Sequence, residues 1–414
     1  MVKVLWFETS VPCRYQSEKV PTMGWQDSLE NLLRNRSDID LYIAFEYKGN
    51  GKKRNIDGVN YIPLNISLNW YEKTIADKKD RWLRVRKYLP LAIEIIKDIR
   101  PDIIHVFGTE WGFGQVARYV NVPVVIHMQG CIMPYQNAHL PPGYSILDKI
   151  LSCGWNIKRM FDLWLRLQYE KSWVDLELSN FNDNKYYMGR THWDKRLVEL
   201  FHPGAYYYHV DEALRPEFCS KNKLWSYKDT NTFEFVTTGC GSHWKGMDVV
   251  LKTANILKKA KIDFVWKLVG RMPDDFRAEI EKKENLKFSE NNIQVQGFLD
   301  ANGLKGLLKE ASLYVHTAYI ENSPNSICEA QSVGTPVIAT NVGGVSTLIE
   351  DKVDGILVPS NDPFILASEI LQLLKDSKRQ MYYSDNSYKK ASKRHCENSI
   401  LRDLLSCYNS IIQR

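Results

Sequence analysis

Short apolar runs alternate along this chain with longer stretches in which hydrophobic residues recur every three or four positions. Runs at 2–7, 40–45, 59–64, 103–107 and 122–127 have the length and β-branched content of buried strands. Residues 26–36, 82–99 and 114–119 carry helical spacing. A second series of strands is predicted at 233–237, 264–269, 293–296, 313–316, 337–340 and 355–358. Strand and helix in alternation imply parallel sheets with helices on their faces. The chain therefore reads as α/β, with two Rossmann-like domains joined by a polar connector near 211–229. The division is set at 1–215 and 216–396, with a last helix at about 397–414 available to pack back on the first domain. Ligands of such sheets bind beyond the carboxyl ends of the strands. Two of them are expected to face each other across one cleft.

The most informative stretch is AYIENSPNSICEAQSVGTPVIAT, which follows the predicted strand 313–316. Ser323 reads as an N-cap, Pro324 as the first helical residue, and Gly334 as the stop. Asn325 and Ser326 then offer backbone N–H groups that no carbonyl within the helix can accept from. A helix start of this kind attracts phosphate through its free donors and its dipole. Glu321 lies on the loop before that start and Glu329 about one turn inside the helix. One carboxylate can face what lies in front of a phosphate and the other what lies behind it. A sugar nucleotide has that layout: sugar, diphosphate, ribose.

Two glycine-bearing turns belong to the same half. In TGCGSHWKGMDVVL, Gly239, Gly241 and Gly246 bracket a tight strand-to-helix loop that carries Lys245. A lysine there can neutralise a leaving diphosphate, whose charge grows in the transition state, although a surface lysine is more often merely solvated. In ATNVGGVSTLIEDKVDGILVP, Gly343 and Gly344 follow a strand and are placed to meet the donor sugar, whereas Asp354 and Gly355 need no reading beyond a turn.

From Gly239 to Pro359 the order and spacing of these motifs resemble the retaining glycosyltransferases of family 4, which have the GT-B fold. The resemblance implies transfer of a sugar from a nucleotide-diphosphate donor with retained anomeric configuration. It makes Lys245 a diphosphate ligand, Glu321 a contact to the donor sugar and Glu329 a ligand of the ribose hydroxyls, with Asn325 and Ser326 giving amides to the phosphate. One departure stands out. Where many members carry arginine beside the first glycine, this chain has Cys240. Either Arg271 takes over that charge or the diphosphate has one cation fewer.

The first half resembles the family more loosely. Gly24 opens a helix after the first strand, where a second phosphate contact and a plain helix entry weigh equally. His105 is expected in the core. His127 ends a strand where relatives often place a histidine near the donor sugar, and it is taken as a site residue. Glu110, on the turn after Phe107, and the loop 129–142 are candidates for acceptor contacts. The block MGRTHWDKR resembles the GRTxWD motif of some bacterial polysaccharide-assembly members. It offers Arg190 and Trp193 for the acceptor, or else a structural clamp between the domains.

Composition narrows these readings. The chain has 414 residues, 44% hydrophobic and 25% charged, enough for two cores. A net charge of +6 suits an anionic ligand or membrane surface and is too small to argue for nucleic acid. Eight scattered cysteines without a Cys-x-x-Cys pair indicate free thiols in a reducing cytoplasm. The opening MVKVLWFETS reads straight into a strand with no signal-peptide pattern, and no apolar run is long enough to span a bilayer. Residues 145–173 mix Ile, Leu, Trp and Phe with Lys and Arg. That pattern fits an ordinary domain helix, or a helix resting on the inner face of the membrane.

No zinc-like spacing occurs, and the one Asp-x-Asp triplet, Asp38-Ile39-Asp40, leads into a strand rather than following one. No metal or other cofactor is therefore expected. The expected partners are a UDP- or GDP-sugar and a saccharide or lipid-linked saccharide acceptor. Two other classes share the donor site: a GT-B sugar-nucleotide epimerase, which needs no acceptor, and a non-catalytic nucleotide-sugar-binding subunit at the membrane.

Overall fold

A computed structural model describes residues 1–414 apart from 17–23, 35, 79, 146, 149–156 and 221, and leaves aside the side chains at 76–78, 158–159, 162–164 and 166–168. The chain divides into two compact units. The first comprises Met1–Met133, Ile157–Ala213 and Glu397–Arg414, and the second Pro134–Asn156 and Leu214–Cys396.

The first unit is built on eight strands: β1 (Val2–Glu8), β2 (Ile39–Tyr47), β3 (Arg54–Ile56), β4 (Val59–Asn65), β5 (Ile103–Phe107), β6 (Val124–His127), β7 (Tyr186–Gly189) and β8 (Tyr206–His209). Their order is β3-β4-β2-β1-β5-β6-β7-β8, parallel except for the hairpin of β3 with β4. Three of these strands are absent from the sequence reading. β3 is a three-residue edge strand turned by Asp57 and Gly58, both at positive φ (50° and 80°), as a tight hairpin requires. β7 and β8 are four-residue, tyrosine-rich segments, too short to show a period. Alternation along β1 sends Val4 and Trp6 to one core and Leu5 and Phe7 to the other.

The last helix, Glu397–Ile412, lies within this unit and buries Ile400, Leu404, Cys407, Tyr408 and Ile411. The Tyr408 hydroxyl accepts from Trp6 Nε1 at 2.9 Å and meets His105 Nδ1 at 2.6 Å, so His105 is a core residue. The segment 211–229 departs from a solvated connector. Leu214, Phe218 and Trp225 are buried in the second unit, and Trp225 Nε1 donates to the Ala311 carbonyl at 2.8 Å.

The second unit has six parallel strands: β9 (Phe233–Thr238), β10 (Phe264–Val269), β11 (Ile293–Gly297), β12 (Leu313–His316), β13 (Val337–Thr340) and β14 (Ile356–Val358). The order β11-β10-β9-β12-β13-β14 places the topological switch between β9 and β12. In the first unit the same reversal falls between β1 and β5. Open parallel sheets take ligands at the strand ends beside such a switch.

Candidate functional site

At the switch of the second unit, the loops after β9 and β12 are locked to each other by backbone. Gly246 sits at φ 71°, and a Cβ there would come within 2.0 Å of the Thr317 carbonyl oxygen. The Thr317 hydroxyl donates to the Lys245 carbonyl at 2.9 Å, and the Tyr319 amide to the Trp244 carbonyl at 2.7 Å. Gly343 makes an equally close approach from the loop after β13. It sits at φ 51°, and a Cβ would lie 1.9 Å from the Glu321 carbonyl oxygen, which accepts from the Gly344 amide at 3.0 Å. Both glycines answer a steric demand. A side chain at either would push a loop off the site.

The side chains converge on Glu321. Its carboxylate is buried and ion-paired with Lys245 Nζ. Burial is the largest single influence and would raise this carboxyl, but Lys245 and, after it, His316 together outweigh it and hold the group at about 2. His316, the last residue of β12, places Nε2 3.8 Å from the same oxygen, too long for a hydrogen bond. Burial lowers the His316 pKa, so the ring is neutral near neutral pH. Gly239, at φ 77°, would bring a Cβ 3.3 Å from Lys245 Cε, so its lack of a side chain leaves the lysine room to move.

The helix following Glu321 spans Asn325–Val333 and is closed by Gly334 at φ 88°. Its N-cap is Pro324, not Ser323. Pro324 has extended ψ (108°), so Asn325 is the first helical residue, and the Pro324 carbonyl accepts from the Ile327 amide at 3.0 Å. The amides of Asn325 and Ser326 come before that first bond and face outward along the dipole. Glu329 is buried one turn in. Both Nε and Nη2 of Arg215 reach its Oε1, at 2.8 and 2.7 Å, leaving Oε2 without an Arg215 contact. Burial pushes Glu329 up to about 7, and Arg215 offsets this only in part. Arg271 is exposed on the neighbouring loop, its carbonyl oxygen 2.7 Å from where a Gly241 Cβ would stand. Cys240 is buried in the core beneath this loop.

The residues singled out in the first half form a separate group. Gly24 caps helix Trp25–Leu33 at φ −77°, its amide donating to Asp27 Oδ2 at 2.9 Å, and among the described residues a Cβ there would meet nothing nearer than 3.8 Å. It is a helix entry that alanine also fits. His127 is fully buried against Trp25, with ring centroids 4.7 Å apart, and among the described residues neither ring nitrogen has a hydrogen-bond partner. Burial holds its pKa well below the ordinary histidine value. The Arg190 guanidinium lies 4.5 Å from the centroid of the same Trp25 ring.

The MGRTHWDKR block proves to be a strand end and a helix start within one unit. Thr191 caps helix His192–Phe201 in a capping box with Asp194, and Trp193 packs, half-buried, on the core. Glu110 is partly exposed, but its Oε2 is buried and has no hydrogen-bond partner among the described residues, and burial raises the carboxyl to about 7. The Asp38-Ile39-Asp40 triplet is a strand entry. Asp38 pairs with Arg36 at 2.7 Å, and Asp40 accepts from the Tyr42 hydroxyl at 3.0 Å.

Several participants escaped the sequence reading. Arg215 lay in what read as linker, and Trp25 stood behind the glycine that drew attention. His316 was masked by the apolar run it ends. The loop 129–142 also divides, because residues from Pro134 onward belong to the second unit. There Tyr135 and His139 lie against Trp244, each with ring centroids 6.2 Å away. Tyr144 donates to Glu284 at 3.0 Å. The amphipathic stretch 145–173 falls partly on residues outside those described; within helix Ile157–Asp183, Ile157 and Phe161 are exposed. Among the described residues no helix is long and apolar enough to cross a membrane.

Comparison with known proteins finds similarity to glycosyltransferases. Residues 222–390 match the family described as Glycosyl transferases group 1, so the second unit carries a domain of that kind. The D-inositol 3-phosphate glycosyltransferase of Salinispora tropica is 33% identical over 113 residues, 26% of this chain and 22% of that protein. The putative colanic acid biosynthesis glycosyltransferase WcaL of Salmonella typhimurium is 28% identical over 136 residues, 31% of this chain and 32% of its own. The chain thus spans less than a third of the length of these curated relatives. Two solved structures share the whole fold. Sucrose-phosphate synthase of Thermosynechococcus elongatus matches over 100% of both chains with a TM-score of 0.73 at 14% identity. Anabaena HepE, in complex with UDP and glucose, covers 99% of this chain and 100% of its own with a TM-score of 0.65 at 16% identity. The fold is GT-B, with two Rossmann-like domains.

Proposed function

We propose that this protein is a retaining glycosyltransferase that moves a sugar from a nucleotide-diphosphate donor to a saccharide or lipid-linked saccharide acceptor. The observation that carries the reading is the Lys245–Glu321 pair held at the switch of the second unit, immediately before a helix N-terminus. A cation, two outward amides and a buried carboxylate in that order suit a diphosphate with a sugar in front of it. Glu321 takes the sugar, Lys245 and the amides of Asn325 and Ser326 take the diphosphate, and Glu329 Oε2 takes the ribose. Gly343 and Gly344 close the sugar side, and Arg271, exposed next to the loop, adds charge in place of the arginine that Cys240 replaces.

In the reaction the bond from the anomeric carbon to the leaving phosphate oxygen breaks as a bond to the acceptor oxygen forms on the same face. The acceptor's hydroxyl proton passes to the leaving phosphate. Positive charge builds on the sugar and negative charge on the diphosphate, and Lys245 stabilises the latter. This arrangement asks for no metal ion. The similarity to HepE, which holds UDP and glucose, favours a UDP-sugar over a GDP-sugar. The similarity to WcaL favours an acceptor in surface polysaccharide assembly. In the first unit, Glu110 is the acceptor candidate with an unsatisfied carboxyl oxygen, whereas Trp193 and Arg190 are engaged in packing. A cytoplasmic enzyme touching the inner membrane face would use exposed Ile157 and Phe161.

The test is turnover of UDP- and GDP-sugars in EDTA, with and without saccharide acceptors, and with the product anomer read by NMR. Retained configuration and release of the nucleoside diphosphate are expected. An epimerised sugar nucleotide formed from donor alone would replace this reading with the epimerase. Binding without any turnover would replace it with the non-catalytic subunit.

A further inference from the structure

One positive charge on Lys245 cannot neutralise both Glu321 and a diphosphate. In this structure it is the cation on Glu321, whereas the proposed reaction requires it on the leaving diphosphate. Withdrawing it strands a carboxylate that is 7% exposed, and an uncompensated buried charge is strongly unfavourable. In the proposed reading the donor sugar also meets Glu321, and the oxygen that the lysine leaves still needs a donor of its own.

His316 is 2% exposed, and among the described residues neither of its ring nitrogens has a hydrogen-bond partner. Buried polar atoms in that condition are rare enough to call for an explanation. Its Nε2 faces Glu321 Oε1, the oxygen that Lys245 occupies, from 3.8 Å, so a closing movement of about 1 Å makes a hydrogen bond. The charged groups that act on the ring are Glu321 and Lys245. As a neutral ring it brings an N–H and no competing charge.

The backbone on both sides is fixed. Gly344 donates to the Glu321 carbonyl and Thr317 to the Lys245 carbonyl. The exchange is thus confined to side chains, and Gly239 leaves the lysine its room.

We propose that His316 is a positioning residue that takes over Glu321 when Lys245 turns to the diphosphate. Its Nε2–H closes on Oε1 and keeps the carboxylate ionised and aimed at the donor sugar. The proposal rests on reading the second unit as the donor site, but its first test needs no donor.

That test is a double-mutant cycle on the ligand-free protein, with His316→Phe, Lys245→Met and the pair compared by denaturant unfolding. With Lys245 present, His316→Phe removes a donor that stands 3.8 Å from Glu321, beyond hydrogen-bond range, and the loss of stability is small beside that in the lysine variant. In Lys245→Met the same change strips Glu321 of its remaining partner, and the folding constant is expected to fall about tenfold more than additivity predicts. Additive effects overturn the proposal. His316→Gln, which keeps an N–H, separates this role from simple packing. It should hold the donor-induced rise in melting temperature that His316→Phe loses, and equal loss in both also overturns the proposal. Should the double variant not fold, the Gln and Phe comparison decides. A chain that turns over no sugar nucleotide but shows the coupling sinks the glycosyltransferase reading and leaves His316 in place.

Discussion

At the switch of the second unit, β9 and β12 lead to Lys245, His316 and Glu321: one cation, one neutral ring and one carboxylate around a single oxygen. At the equivalent reversal of the first unit, β1, β5 and the adjoining β6 end in Glu8, Phe107 and His127, with Trp25 laid against His127 and Arg190 across Trp25. The topology is the same and the filling differs. The second unit keeps a charged pair under close backbone approach, which only glycine at 246 and 343 permits. The first unit packs aromatic rings on Phe107 and His127, buries the Glu8 carboxyl, and brings no described atom within 3.8 Å of a Gly24 Cβ. Topology marks where a ligand can sit. In the proposed reading, the end that keeps the charged pair is the one that takes the anion.

The largest expected effect tests the glycines. Gly246→Ala puts a Cβ 2.0 Å from a carbonyl at φ 71° and should cost more than about 3 kcal/mol or prevent the second unit from folding. Gly24→Ala, the matching turn of the first unit, should cost at most about 1 kcal/mol. Equal losses in chemical denaturation would erase the contrast.

Next comes Lys245→Ala, expected to lower kcat by about 10²–10³ with the fold kept, as when one stabilising donor to a developing oxyanion is removed. Near-normal turnover removes Lys245 from the mechanism.

The two carboxylates of the second unit then predict opposite pH slopes. Glu321 is held at about 2, below its ordinary 4.5, so its stabilising share is complete above pH 4.5 and is lost as pH falls through 2. That share is on the order of 3 kcal/mol. Glu329 is raised to about 7, so its neutral form favours the fold below pH 4.5, and this share is lost as pH rises through 7. Unfolding titrations of Glu321→Gln and Glu329→Gln should each flatten one limb, and a single shared limb would contradict the assignment.

The smallest effect belongs to the first unit. Thr191→Ala removes the cap bond to the Asp194 amide and should cost about 1 kcal/mol without altering donor affinity. A loss of donor binding instead would return the MGRTHWDKR block to the site.

Much of this was legible in the sequence because it is local. The strands 103–107, 264–269, 313–316 and 337–340 are mostly apolar, interrupted by His105, Lys267, His316 and Thr340, and they fall where expected. Gly334 and Gly246 announce positive φ. The short strands β3, β7 and β8 were not legible, since three or four residues carry no period. The helix start slipped from Ser323 to Pro324 because the proline's ψ, which sequence does not display, decides which residue is half outside.

The partners of the site were hidden for another reason. Lys245 meets Glu321 across a separation of 76 residues, and Arg215 meets Glu329 across 114. Only the sheet order brings them together. His316 looked like the end of an apolar run, and its two unpartnered nitrogens exist only in the fold.

The central claim is that the second unit holds a nucleotide-diphosphate sugar through Lys245. Calorimetric titration of wild-type and Lys245→Ala protein with a panel of UDP- and GDP-sugars tests it most directly. One sugar nucleotide should bind the wild type and bind the variant at least tenfold more weakly, a difference of about 1.4 kcal/mol. Equal affinity in the two proteins, or no binding by any member of the panel, would contradict the claim.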